Sequence, residues 1–122
     1  MIHGYLVVAV VGNRTGWAYQ DVQRYLNKYL QIYHDKKFVI ISGGAAGVDS
    51  HAERYCYEKN IPFQKILPIE HVKSPDRFFI RNGSIAALCD VMLAFNKKKI
   101  SGTAQTMHTA KNLNKEVVEI DG

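Results

Sequence analysis

Ile40-Ile41-Ser42-Gly43-Gly44-Ala45-Ala46-Gly47-Val48-Asp49 is the stretch on which the reading of this chain turns. An apolar run, Phe38 to Ile41, ends in three glycines within five residues, and a helix-like segment, His51 to Lys59, follows. A buried strand that breaks into a glycine turn and restarts as a helix leaves several backbone N–H groups unpaired and pointing one way. Such a turn is an anion site, because first-turn amides lack an intrahelical acceptor and the helix dipole adds positive potential. A tight strand-to-helix turn with no ligand uses glycines in the same way. The loop therefore needs neighbours before it carries a function.

Those neighbours come from the rest of the pattern. Leu6 to Val11 is six consecutive apolar residues followed by Gly12. A run of that kind marks a strand buried on both faces, as in a parallel sheet covered by helices. From Trp17 to about Tyr33 the apolar positions Val22, Tyr25, Leu26, Tyr29, Leu30 and Tyr33 make one helical face. The helix after the glycine turn shows Val48, Ala52, Tyr55 and Cys56 and stops near Asn60, before Pro62. Phe63 to Leu67 is a third, partly polar strand ended by Pro68. Ser74-Pro75-Asp76 starts a helix with a capping serine, a proline at the first position and an acid in the first turn. That helix runs through Phe78, Ile85 and Leu88 to Cys89. Val91 to Phe95 is a fourth, wholly apolar strand, and Ser101 caps a last helix carrying Ala104, Met107, Ala110 and Leu113. Glu116 to Ile120 is a charged final strand.

Strands and helices alternate throughout, which predicts an α/β fold with a parallel sheet and right-handed crossovers. The apolar first, second and fourth strands belong in the middle, and the partly polar third and fifth suit the edges. The order 3-2-1-4-5 satisfies both demands. It places a topological switch point between strands one and four, where ligands bind beyond the strand C-termini.

Length and composition set the frame. The 122 residues predict a single domain over 1–122, and 47% hydrophobic with 22% charged residues is an ordinary globular balance. No apolar run reaches the roughly 18 residues that span a bilayer. Met1-Ile2-His3-Gly4-Tyr5 is too short and uncharged for a signal peptide, so a cytoplasmic location and no membrane partner are expected. Cys56 and Cys89 then read as buried free thiols. No paired Cys/His spacing indicates a metal, and His51 and His108 have no obvious ligand partner. The net charge of +5 favours an anionic partner: a nucleotide, a phosphate-bearing metabolite or nucleic acid. Lys97-Lys98-Lys99 is its sharpest local concentration.

The strand order brings three loops to one crevice. They are Gly12-Asn13-Arg14 with Thr15-Gly16-Trp17, the glycine loop Gly43 to Asp49, and Asn96 to Ile100 leading into Ser101-Gly102-Thr103 at a helix start. Convergent amides and a guanidinium suit a phosphate or diphosphate. Arg81, on a helix face with Phe78, Ile85 and Leu88, needs an anionic partner, either an internal carboxylate such as Asp90 or a ligand. Asn82 beside it can hydrogen-bond a ligand or fasten a loop. Trp17 can stack a base or pack the first helix on the sheet. Asp49 can cap its helix and compensate its dipole, or contact a ribose hydroxyl or a metal. Neither a GxSxG nor a GxxxxGK[ST] motif occurs.

Taken together, Val10-Val11-Gly12-Asn13-Arg14, Gly43-Gly44-Ala45-Ala46-Gly47-Val48-Asp49, Arg81-Asn82, Cys89-Asp90-Val91, and Gly102-Thr103 with a helix ending Ala110-Lys111 resemble the SLOG superfamily. These Rossmann-like, three-layer domains are shared by DNA-processing protein A, the Lonely Guy phosphoribohydrolases (lysine-decarboxylase-like proteins) and small stand-alone members, to which this chain is most similar. The resemblance implies a nucleotide-derived ligand on Gly12, Arg14, Gly43, Gly44, Arg81, Gly102 and Thr103. With the loop reading, the candidate ligand-binding set is Gly12, Asn13, Arg14, Gly43, Gly44, Ala45, Gly47, Asp49, Arg81, Ser101, Gly102 and Thr103. Lonely Guy enzymes carry a PGGxGTxxE motif; here the Pro-Gly-Gly is missing and Thr106 stands at the glutamate position. A neutral threonine cannot activate water or stabilise an oxocarbenium-like centre. The expected function is therefore non-catalytic or sensor-like binding of a nucleotide or nucleotide derivative. Two alternatives stand beside it: nucleotide N-glycoside hydrolysis using Asp49 or Glu53, and single-stranded nucleic-acid binding through Lys97 to Lys99 and Arg14. Related domains often form homo-oligomers.

Overall fold

The apolar run at Leu6 becomes the middle of the sheet. In the computed structural model, which describes residues 4–71, 73 and 76–122, β1 (Leu6–Gly12) pairs in parallel with β2 (Phe38–Ser42) on one side and β4 (Val91–Phe95) on the other. The edges are β3 (Phe63–Lys65), beside β2, and β5 (Glu116–Ile120), beside β4. The order is therefore β3-β2-β1-β4-β5, all parallel, as the distribution of polar residues among the strands predicts. Central strands have no wet face, so they are apolar up to Ser42 at the end of β2, whose buried hydroxyl donates to the Val10 carbonyl; edge strands keep one side exposed.

Period-two alternation divides the sheet between two cores. Val8, Val10, Ile40 and Leu93 face α1 (Tyr19–Leu30) and α2 (Val48–Lys59), whose Val22, Leu26, Ala52 and Cys56 complete that side. Val7, Ala9, Met92 and Ala94 face α3 (Asp76–Leu88) and α4 (Gly102–Asn112), through Ile85, Ala86, Met107 and Ala110. Two layers of helix with a sheet between them make an α/β Rossmann-like fold. Among the described residues no helix is long and apolar enough to cross a membrane.

Several local boundaries depart from the sequence reading, each for a visible reason. The Ala18 amide donates to the Asp21 carboxylate at 3.0 Å, so α1 starts at Tyr19 and Trp17 stays in the preceding loop. Gln31–Tyr33 is a 3₁₀ turn, not a continuation of α1. β3 ends at Lys65, short of Leu67, because its partner β2 has by then turned into the glycine loop. The predicted Ser74 cap and Pro75 lie outside the described residues. Leu88 is 42% exposed and so leaves the buried face assigned to it. Ser101 does cap α4, its Oγ accepting from the Ala104 amide at 3.0 Å. Cys56 and Cys89 are free and buried, and burial pushes their thiols up to about 12 and about 11.

The first two crossovers lock together at the end of β1. The Val48 amide donates to the Asn13 carbonyl at 3.3 Å, which puts the first residue of α2 under the β1–α1 loop. A Cβ on Gly12 would lie 2.5 Å from the Val48 side chain. Gly47, at φ 78°, would carry a Cβ 2.4 Å from the Arg14 carbonyl oxygen. By contrast, a Cβ on Gly83 in α3 meets nothing within 4 Å. Gly47→Ala combines left-handed strain with a clash against rigid backbone and is expected to destabilise the protein by about 3 kcal/mol. Gly83→Ala, in a helix interior, is expected to stabilise by about 0.5–1 kcal/mol. Urea denaturation of the two variants should give midpoint shifts of opposite sign.

Candidate functional site

Beyond the C-terminal ends of β1 and β4 lies a cavity of about 350 Å³. One wall is the β1–α1 loop, Gly12 to Arg14, with Ala45 and Asp49 of the glycine loop and α2. The facing wall comes from α3, through Phe78, Arg81 and Asn82, and from the β4–α4 connection, through Lys98 and Ser101 to Thr103. The three loops that the strand order brings together do meet here.

The glycine loop itself holds an anion already, and that anion is internal. Asp49, in the first turn of α2 and 7% exposed, accepts the Ala45 amide at 3.2 Å, and the Gly43 amide also faces its carboxylate. Burial raises the carboxyl above its ordinary value of 3.8; the Ala45 amide and the Arg81 guanidinium oppose that rise without cancelling it. The loop glycines accordingly serve packing. Gly43 has no room for a Cβ, which would sit 2.6 Å from Arg81 Nη1, and its carbonyl accepts a hydrogen bond from that same nitrogen. A Cβ on Gly44 would meet the Lys65 side chain at 2.7 Å, on the β3 side of the loop. Gly43, Gly44 and Gly47 therefore do not line the cavity.

Arg81 is 7% exposed. Its partners are the Gly43 carbonyl, Asn82 Oδ1 at 2.8 Å from Nε, the Phe78 ring at 5.6 Å and the charge of Asp49. Asp90, the internal carboxylate proposed from sequence, lies at the other end of the sheet and accepts the Val7 amide at 2.7 Å. Burial lowers the Arg81 pKa; Asp49 opposes this, while the nearby Arg14 cation adds to it. Arg81 thus stands between one carboxylate and a second guanidinium.

Asn13 has a different task from the one expected. Its Oδ1 accepts from the Lys97 amide at 2.9 Å and from Trp17 Nε1 at 3.3 Å, while its Nδ2 donates to Asn96 Oδ1 at 3.1 Å. That same Asn96 oxygen accepts the Ser101 hydroxyl at 3.1 Å. The asparagines fasten β1 to β4 and set the start of α4, so Asn13 contributes shape to the cavity with its polar atoms already satisfied. Trp17 is 6% exposed, edge-on to Phe95 at 5.2 Å, with Lys97 Nζ 4.3 Å from its ring centre. It packs and offers no open face to a base.

The start of α4 is the opposite case. Ser101 Oγ satisfies the Ala104 amide, but the amides of Gly102 and Thr103 have no acceptor among the described residues. Both residues line the cavity, as do Arg14 and Lys98. The anion-binding hardware is at α4, two crossovers on from the glycine loop that first suggested it. Phe78 and Thr106 were not among the sequence candidates, and Lys98 was one only as part of the Lys97 to Lys99 run proposed for nucleic acid. Phe78 was legible as the residue one turn before Arg81 on the same face, and Lys98 sat unresolved within the lysine run. Thr106, at the missing glutamate position, gives its hydroxyl to the Gly102 carbonyl at 2.8 Å. Glu53 pairs with Lys65 at 3.1 Å and does not line the cavity. Among the described residues no cluster of three or more His, Cys, Asp or Glu side chains could hold a metal ion.

Residues 2–71, more than half of the chain, match the family model of DNA recombination-mediator protein A. This chain belongs to that family. With it, the chain falls within the SLOG superfamily that its motifs resemble. Solved structures agree on the fold. DNA processing protein A from Streptococcus pneumoniae superposes with a TM-score of 0.77 at 22% identity, over 97% of this chain and 51% of that one. The Helicobacter pylori protein, described for its single-stranded DNA binding mode, gives 0.73 at 21% identity, over 93% and 64%. The molybdenum cofactor carrier protein of Chlamydomonas reinhardtii gives 0.72 at 20% identity, over 96% and 77%. No curated protein sequence matches. The chain spans about half to two thirds of the two DNA processing proteins. The family match covers only one wall of the cavity, since Phe78, Arg81, Lys98 and the α4 start lie beyond residue 71.

The Asp49 environment gives a pH test in this family member. The folded state binds the Asp49 proton more tightly than the unfolded chain does, so protonation adds stability as pH falls through the raised value towards 3.8 and is complete below it. Asp49→Asn cannot titrate. The stability of wild type relative to Asp49→Asn should therefore rise between neutral pH and pH 4, measured by urea denaturation at each pH.

Proposed function

We propose that the cavity binds a nucleotide or nucleotide-derived ligand by its phosphate, as a binding or sensor module without chemistry of its own. One observation carries this reading: Arg14, Arg81, Lys98 and the free amides of Gly102 and Thr103 converge on a cavity whose one lining carboxylate, Asp49, is already engaged. Helix-start amides and guanidiniums are the groups that bind phosphate best. A structural neighbour that carries a cofactor is in keeping with a fold that holds ligands without transforming them. The hydrolase alternative is supported less. It needs a carboxylate free to act at a glycosidic carbon, Thr106 cannot supply one, and Glu53 is tied to Lys65.

A second reading has its own support. The family, and the single-stranded DNA described for the Helicobacter pylori structure, favour nucleic acid as the phosphate source. Lys98 also lines a second groove, of about 570 Å³, where Lys97, Lys99 and Lys111 outnumber the acids Glu119 and Asp121. A strand crossing from one to the other would neutralise several phosphates and release their counterions.

Arg14 is exposed, so its replacement spares the core. Arg14→Ala is expected to weaken binding of any nucleotide that stabilises the wild type by about tenfold or more, the loss of one charge-assisted contact. Thermal-shift and calorimetric titration with a nucleotide panel test this; an unchanged affinity rejects the cavity as the site. For the nucleic-acid reading, the logarithm of oligonucleotide affinity should fall linearly with the logarithm of salt concentration, and Lys98→Ala should flatten the slope.

A further inference from the structure

We infer that the cavity reads a dianionic phosphate, a terminal phosphomonoester or a diphosphate, in preference to the singly charged diester inside a nucleic-acid strand. This rests on the phosphate-binding reading above and narrows its chemistry. The argument is a charge balance. Among the described residues the cavity is lined by three cations, Arg14, Arg81 and Lys98, and one carboxylate, Asp49. A fourth cation stands behind them. The Phe78 ring has the guanidinium carbons of Arg14, Arg77 and Arg81 at 5.7, 4.8 and 5.6 Å from its centre. The buried Nε of Arg77 has no hydrogen-bond partner among the described residues. Burial lowers the Arg81 pKa and the neighbouring Arg14 cation adds to that effect, with the Asp49 charge beside Arg81 opposing it.

A diester brings one negative charge to this cluster and leaves it positive. A monoester carries close to two at neutral pH, and a diphosphate more. In a partly buried site the second charge meets a cation instead of water, where Coulomb attraction is several-fold stronger than in bulk solvent. The amides of Gly102 and Thr103 add donors for the extra oxygens.

What the cavity lacks points the same way. Sequence-tolerant strand binders stack bases on open aromatic faces. Here Phe78, the one aromatic lining the cavity, is crowded by guanidiniums, and Trp17 is buried under Lys97. Recognition falls on the phosphate, and the base contributes little.

Calorimetric titration of the full chain with paired probes tests this. Adenosine monophosphate and diphosphate are compared with cyclic adenosine monophosphate, a diester of similar size. Oligothymidylate with a phosphorylated end is compared with the same oligomer ending in a hydroxyl. The open monoester and diphosphate should bind about tenfold or more tighter than the cyclic diester, one unit of charge pairing. Arg14→Gln should narrow that gap. A matching advantage for the phosphorylated oligomer identifies strand ends as the source; an advantage confined to mononucleotides identifies the free nucleotide. Equal affinity for the monoester and the cyclic diester, together with equal affinity for the two oligomers, overturns the inference and leaves the phosphate-binding reading in place. No binding by any probe overturns both.

Discussion

The Asp49 carboxylate in the amide-lined hollow of the glycine loop sets the arrangement of the whole crevice. It accepts the Ala45 amide, so the turn between β2 and α2 is held closed without a ligand. It draws the Arg81 guanidinium down against the Gly43 carbonyl, and Gly43 must be glycine to leave that space. The effect is positional: the Asp49 charge favours a cation at the floor of the cavity, and its hold on the Ala45 amide occupies the glycine loop. The α4 start, whose amides face no such carboxylate, remains open.

A second constraint keeps that opening in register. Asn13 and Asn96 bond across the junction of β1 and β4, and Ser101 hangs from the same Asn96 oxygen. In a low-dielectric setting such a network is rigid when every member is satisfied. Arg14 and the α4 amides are therefore held on opposite sides of a fixed gap, although they belong to different crossovers.

Much of the fold was legible because burial writes itself into composition. Six apolar residues from Leu6 allow no wet face, and the lysine and glutamates of β3 and β5 allow one; together they dictate the sheet order. The site was legible only to the level of loops. That Gly12, Arg14, Arg81 and Thr103 would meet follows from topology. That Gly43, Gly44 and Gly47 would pack against backbone or side chains and not line the cavity themselves does not, since a glycine required by packing and one required by a phosphate are the same letter. Asn13 and Asp49 do line the cavity, and a related ambiguity attaches to them. Each has polar atoms suited to a ligand, and each spends them on the protein. Phe78 was passed over, and Lys98 was read only as one of a lysine run for nucleic acid, because an aromatic on a helix face and a lysine in a run have ordinary explanations until a cavity is seen beside them.

The position of β1 has a consequence for how the chain is made. Its partner β2 is made 32 residues after it, but its other neighbour, β4, follows 83 residues behind. At typical synthesis rates that interval is on the order of ten seconds. Throughout it, the most apolar strand in the protein has one edge unpaired, the condition under which nascent chains pair wrongly with one another. The late half that closes this edge is also the half that brings Arg81, Lys98 and the α4 amides. Shelter for the nascent strand and a complete phosphate cavity arrive in the same event.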